Sequence, residues 1–112
     1  MEPIAIIGIG CSFPNAKNPQ EFWKLLKEGK DVITKVPSER WDVDAIYEQE
    51  PVTPGKTNSP WGSFLEGVDL FDANFFGISP RETQHIDPQQ RLLLEVTWKA
   101  LENAGIGPES LA

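Results

Sequence analysis

The sequence predicts an α/β fold in which a strand and helices pack in layers. Residues 4–9 form a short, continuous, β-branched apolar run after Pro3, which is typical of a strand covered on both faces. Residues 87–104 predict a helix with apolar or small side chains on most of its perimeter. Because both elements need packing partners on several sides, we predict that the 112 residues are part of a larger layered domain.

The first element is the predicted strand at residues 4–9. It contains no charged side chain, and Gly8 is the only residue that interrupts the apolar run. Strands that are buried on both faces occur mainly in parallel sheets, because the connecting helices cover both faces of such a sheet. We therefore expect this strand to be buried between parallel neighbours.

Two helices are predicted from the same capping pattern. Residues 18–21 supply an Asn at the N-cap, a Pro at the first helical position and a Glu at the third, and Gly29 ends the helix. Residues 87–90 repeat the pattern with Asp, Pro and Gln, and Gly105 ends that helix. The first helix is short and amphipathic. The second has one narrow charged stripe, made of Arg91, Glu95, Lys99 and Glu102.

Residues 30–86, between the helices, show weak periodicity and many prolines and aromatic residues. A short helix is predicted near residues 42–48, and an exposed loop at residues 48–59. We predict that the aromatic side chains of residues 61–81 pack in a core rather than line a ligand groove, because Phe and Trp dominate ordinary cores. Irregular segments this long are uncommon unless they are functional or lie over a larger body.

Charge and composition exclude several functional classes. A net charge of -7 and a pI near 4.6 argue against binding to nucleic acid or to an anionic membrane. The single Cys11 cannot form an intrachain disulfide, which fits a reducing compartment. The amino end has no basic region, and no apolar run approaches the roughly 20 residues of a membrane span. We expect a cytoplasmic protein without a membrane segment.

The pair Gly8 and Gly10 after a strand invites a dinucleotide-binding hypothesis. The third glycine of that motif is absent because position 13 is Phe, and the next helix begins only after Asn18. The motif requires strand, turn and helix in immediate succession. We therefore predict a turn that ends the strand, and no directly bound cofactor.

Cys11 and His85 are the candidate catalytic residues, and we assign a catalytic role to neither. No residue near Cys11 in sequence supplies a base or a positive charge that would favour the thiolate, so we interpret it as a packing residue. His85 has no identified nucleophile to serve and is interpreted as a polar loop residue. The acidic residues do not follow metal-loop spacing, so no metal site is predicted.

Blocks of the sequence then resemble a known family. These blocks are residues 2–14, Phe22 with Trp23, and residues 37–41, 62–65, 71–81 and 87–95. In this order they resemble the start of β-ketoacyl synthase domains, most closely the ketosynthases of modular type I polyketide synthases. The resemblance covers nearly the whole chain, and residues 1–112 would be the incomplete N-terminal portion of such a domain.

The resemblance implies a thiolase-like fold of αβαβα layers and a homodimer in the parent enzyme. It also implies a parent reaction in which a Cys nucleophile takes an acyl chain from the phosphopantetheine of an acyl carrier protein, and two His residues assist decarboxylative condensation with a malonyl-type extender. The family motifs that carry these three residues lie beyond the matched region. Neither Cys11 nor His85 inherits a catalytic role, so this chain alone is expected to be inactive.

Two hypotheses therefore follow for function. The first is a fragment of a β-ketoacyl synthase whose parent elongates acyl thioesters. The second is a non-catalytic module that uses the broad apolar face of residues 92–101 for dimerisation or for docking a carrier protein. The length of the acyl chain, the extender unit and the dimer contacts do not follow from this sequence.

Overall fold

The computed structural model describes residues 2–50 and 53–111. The described elements are, in chain order, α1 (Pro19–Glu28), β1 (Thr34–Lys35), α2 (Val43–Ile46), β2 (Trp61–Gly62), α3 (Pro80–Thr83), α4 (Pro88–Ala104) and a 3-10 helix (Pro108–Leu111). Long irregular segments connect these elements, and the predicted α/β class is confirmed.

Helix α1 forms where the sequence predicts it, because both ends are capped. The side chain of Asn18 accepts the N–H of Glu21 at 2.9 Å, and Gly29 ends the helix in the left-handed conformation at φ 61. The Glu21 carboxylate accepts the N–H of Lys17 at 2.7 Å. In a standard capping box the donor is the N–H of the N-cap residue itself, whereas Lys17 lies one residue before the N-cap. Glu21 therefore still accepts a backbone N–H at the start of the helix.

Helix α4 is also confirmed, and its bounds match the prediction. The carboxylate of Asp87 accepts the N–H of Gln89 at 2.8 Å. At the other end Gly105 has φ 67, and its N–H and that of Ile106 bond to carbonyl groups of the last turn. These contacts satisfy backbone groups that a helix end leaves without an intrahelical partner, so the ends of α4 are set locally.

Strands β1 and β2 pair antiparallel, with Lys35 opposite Trp61. The ladder continues in the hydrogen bond from the N–H of Val36 to the carbonyl of Pro60 at 2.9 Å. The Lys35 ammonium group contacts the Asp44 carboxylate at 2.7 Å and so ties β1 to α2. The sequence did not predict this sheet, since two-residue strands are too short to show periodicity.

The prediction of a buried strand at residues 4–9 is wrong for the described chain. Ile4 is 96% exposed and Ile6 is 83% exposed. Within the described part, the sheet formed by β1 and β2 is the only one, and residues 4–9 belong to no strand. The pattern indicated a strand that needs neighbours on both sides, and the described residues provide no neighbouring strand for it.

The described residues form almost no core of their own. Ala16, Val36 and Val43 are the only apolar residues among them that are buried. Side chains with large apolar area, including Trp23 and Trp61, remain mostly exposed. A domain near this size normally buries well over half of its unfolded surface, so the hydrophobic effect that stabilises this chain by itself is small.

The exposed loop predicted at residues 48–59 is organised by Glu48. Its carboxylate accepts the Thr53 hydroxyl at 2.8 Å and the Thr53 N–H at 3.0 Å. These two hydrogen bonds hold the pKa of Glu48 below its ordinary value, and the one from the hydroxyl has the larger effect. Tyr47 and Thr57 form a bridge that closes the loop, while residues 51 and 52 lie outside the described part.

We expect the substitution Thr53→Val to raise the pKa of Glu48 toward its ordinary value, because it removes the hydroxyl donor and keeps the backbone N–H. An NMR titration of the Glu48 carboxyl group measures this change. Because the folded-state pKa of Glu48 is lowered, its hydrogen bonds stabilise the fold above the unfolded-state pKa. This stabilisation is lost as the pH falls through the folded-state pKa.

The control for this measurement is Thr57→Val in the same loop. The Thr57 hydroxyl contacts the carbonyl of Ser59 rather than Glu48, so this variant should leave the Glu48 titration unchanged. Equal titration curves for the wild type and Thr53→Val would contradict the assignment of the shift to the Thr53 hydroxyl.

Candidate functional site

Residues 8–10 cross helix α4 with backbone against backbone. A Cβ atom added to Gly8 would lie 2.7 Å from the Cβ of Ala104, and one added to Gly10 would lie 2.8 Å from the backbone nitrogen of Ala100. Both added atoms would lie closer still to helix carbonyl oxygens. Ala100 and Ala104 lie one above the other on the same helix face. Glycine is therefore the residue that fits at both crossing points.

A hydrogen bond fixes the position of this crossing. The N–H of Ile9, between the two glycines, donates to the Oδ1 atom of Asn103 at 3.0 Å. Asn103 was not singled out from the sequence, because it follows Lys99 by four residues and so extends the charged stripe of the helix. Nothing in that pattern distinguishes it from an ordinary solvated side chain.

On another side of α4, an apolar groove with a volume of about 480 Å³ is open to solvent. We call it the α4 groove. Leu93 is 66% exposed and Leu94 is 38% exposed. Trp98 is held by the ring of Phe75, with ring centroids 4.7 Å apart. The residues that line the groove are Phe76, Ile86, Gln90, Leu93, Leu94, Thr97, Trp98 and Leu101.

The segment that crosses α4 carries a second apolar surface. We use the name isoleucine surface for the exposed side chains of Ile4, Ile6, Ile7 and Ile9 taken together, and each is more than half exposed, from 54% at Ile9 to 96% at Ile4. The glycines of the segment contact the helix while these side chains are left in solvent. Helix α4 and its crossing segment thus form a unit with apolar area available on more than one side.

A larger and more polar cavity of about 590 Å³ lies beside the irregular segments. The Arg40 guanidinium group donates to the carbonyl of Leu65 there, and this contact joins residues 37–41 to residues 62–69. Acidic side chains of Glu39, Glu66 and Asp69 also line the cavity. No Cys, His, Ser or Lys is among its described lining residues, and Thr34 is the one hydroxyl residue there.

The structure does not bring Cys11 and His85 into a reactive group. Cys11 is a free, partly exposed thiol. His85 is exposed in the turn between α3 and α4, and its backbone N–H donates to the carbonyl of Glu82 at 2.9 Å. Among the described residues, no group of three or more His, Cys, Asp or Glu side chains is placed to hold a metal ion.

The close backbone approach at Gly8 and Gly10 serves helix packing. Helix α4 occupies the space that a side chain at either position would fill, whereas a dinucleotide motif leaves such space for a pyrophosphate. The next helix in the chain begins at Pro19, well after the glycines.

None of the helices in the described part is both long and apolar enough to cross a membrane.

Comparison with known proteins decides the family. The family model described as the N-terminal domain of β-ketoacyl synthase matches residues 1–112. The chain belongs to this family. The resemblance drawn from the sequence blocks is thereby confirmed, since the match extends over all of them.

Curated relatives of this ketosynthase segment are polyketide synthases. A phenolphthiocerol/phthiocerol polyketide synthase polypeptide of Mycobacterium tuberculosis is 54% identical over 112 residues, which are 99% of this chain and 6% of that protein. A phenolphthiocerol synthesis polyketide synthase of Mycobacterium marinum is 50% identical over 98% of the chain and 5% of its own length. The chain thus spans a small part of the relatives that it matches.

Solved ketosynthase structures share the backbone of this segment. The oxazolomycin ketosynthase domain OzmH KS7 of Streptomyces albus matches with a TM-score of 0.87 and 40% identity, over 95% of this chain and 19% of that one. The ketosynthase from module 6 of the bacillaene synthase of Bacillus subtilis matches with a TM-score of 0.83 and 34% identity, over 96% of this chain and 18% of that one. The thiolase-like fold predicted for the parent domain is confirmed.

We expect Gly10→Ala to destabilise the folded chain by about 1–3 kcal/mol, because the added methyl group overlaps with backbone atoms of α4. Urea unfolding followed by circular dichroism measures the change. The control is Ile6→Ala in the same segment, where the side chain is 83% exposed and the expected effect is within about 0.5 kcal/mol. If the two variants were equally stable, the steric requirement for glycine at position 10 would be contradicted.

We also expect that Cys11 is not acylated when the purified chain is incubated with an acyl thioester. The reason is that no residue near Cys11 in sequence supplies a base or a positive charge, and a thiol without such a group beside it is a poor nucleophile. Intact-mass spectrometry checks this, with Cys11→Ala as the control. A stable adduct on the wild type that is absent from Cys11→Ala would show that Cys11 is reactive.

Proposed function

We propose that residues 1–112 are the incomplete N-terminal portion of the ketosynthase domain of a modular type I polyketide synthase. The observation that carries the proposal is the family match over residues 1–112, together with 54% identity to a polyketide synthase of which the chain spans 6%. The exposed α4 groove and isoleucine surface support it, because both are surfaces that a larger layered domain would bury.

The proposed activity of the parent is decarboxylative Claisen condensation. A Cys thiolate takes the acyl group from a carrier thioester, and the carrier thiol leaves. Loss of CO2 from a malonyl-type thioester then provides a carbon nucleophile, which attacks the enzyme-bound acyl thioester and releases the Cys thiolate. We propose that no catalytic, cofactor-binding or metal-binding residue of this reaction lies within residues 1–112.

We assign the chain a structural role in the parent enzyme and no step of the reaction. Helix α4 is capped at both ends, and the crossing of residues 8–10 holds the amino-terminal segment against it. The partners proposed for the parent are an acyl carrier protein, which bears phosphopantetheine, and a second copy of the parent. A net charge of -7 gives no support to nucleic acid as a partner. A cytoplasmic location stays a prediction.

A chimera tests the proposal. We expect a ketosynthase of a 54% identical relative to keep condensing activity when its matching segment is replaced by residues 1–112, because the segment shares its backbone with a solved ketosynthase at a TM-score of 0.87. Formation of β-ketoacyl product from acyl and malonyl carrier proteins is measured by mass spectrometry.

The control for the chimera is the same protein with its nucleophilic Cys, which comes from the relative, replaced by Ala. That control should form no product. A chimera that folds and unfolds as cooperatively as the relative, yet forms no product, would overturn the assignment of residues 1–112 to a working ketosynthase.

The alternative function is a non-catalytic module for dimerisation or carrier docking, and the observation that favours it is the open α4 groove. This alternative expects the isolated chain to form a discrete dimer with cooperative unfolding. Sedimentation velocity and urea unfolding of the isolated chain measure these two properties. A monomer or a polydisperse, non-cooperative chain would exclude the dimerisation module.

A further inference from the structure

We draw no further inference here: the strongest candidate, the polar cavity of about 590 Å³ beside the irregular segments, which is lined by Glu39, Glu66 and Asp69 with Arg40, is a cluster of acidic side chains beside one arginine, and nothing else in the described part of the chain identifies a ligand that would bind there.

Discussion

The close contact between residues 8–10 and helix α4 is the constraint on which the described structure depends. It joins the two ends of the chain, because Gly8 and Gly10 approach Ala100 and Ala104 more closely than any side chain would allow. The Ile9 hydrogen bond to Asn103 adds a directional contact at the same place. The position of the exposed isoleucines follows from this crossing, since they flank the two glycines in sequence.

The remaining order of the chain comes mainly from local contacts rather than from a shared core. The helices are capped by their own flanking side chains, α2 is tied to β1 by the Lys35 and Asp44 ion pair, and Glu48 closes its loop through Thr53. Exposed contacts of this kind contribute modest stability each. They are sufficient to define local geometry, whereas the stability of a whole domain needs the burial of apolar area that these residues leave exposed.

The sequence predicted the features that depend on nearby residues and missed those that depend on distant ones. Helices α1 and α4 were predicted closely because their caps lie within a few residues of the helices. Strands β1 and β2 were missed because each has two residues and depends on a partner far along the chain, as Lys35 does on Trp61. Residues 4–9 were predicted as a strand because the pattern reports the environment that the segment requires, whether or not a neighbouring strand is present. The apolar residues around most of α4 predicted an apolar packing face, and the groove lies on that helix. Nothing in the sequence predicted the role of Asn103.

The hydrogen bond between Ile9 and Asn103 spans 94 positions, which has a consequence for biosynthesis. A ribosome that adds roughly 5–20 residues per second needs roughly 5–20 s to synthesise the intervening chain. During that interval the isoleucine-rich amino end emerges before the helix on which it packs has been made. Short, β-branched segments without charge are prone to pair with identical segments, and neighbouring ribosomes on one message present such copies close together. The amino end of this ketosynthase segment is thus open to such pairing until helix α4 has been synthesised.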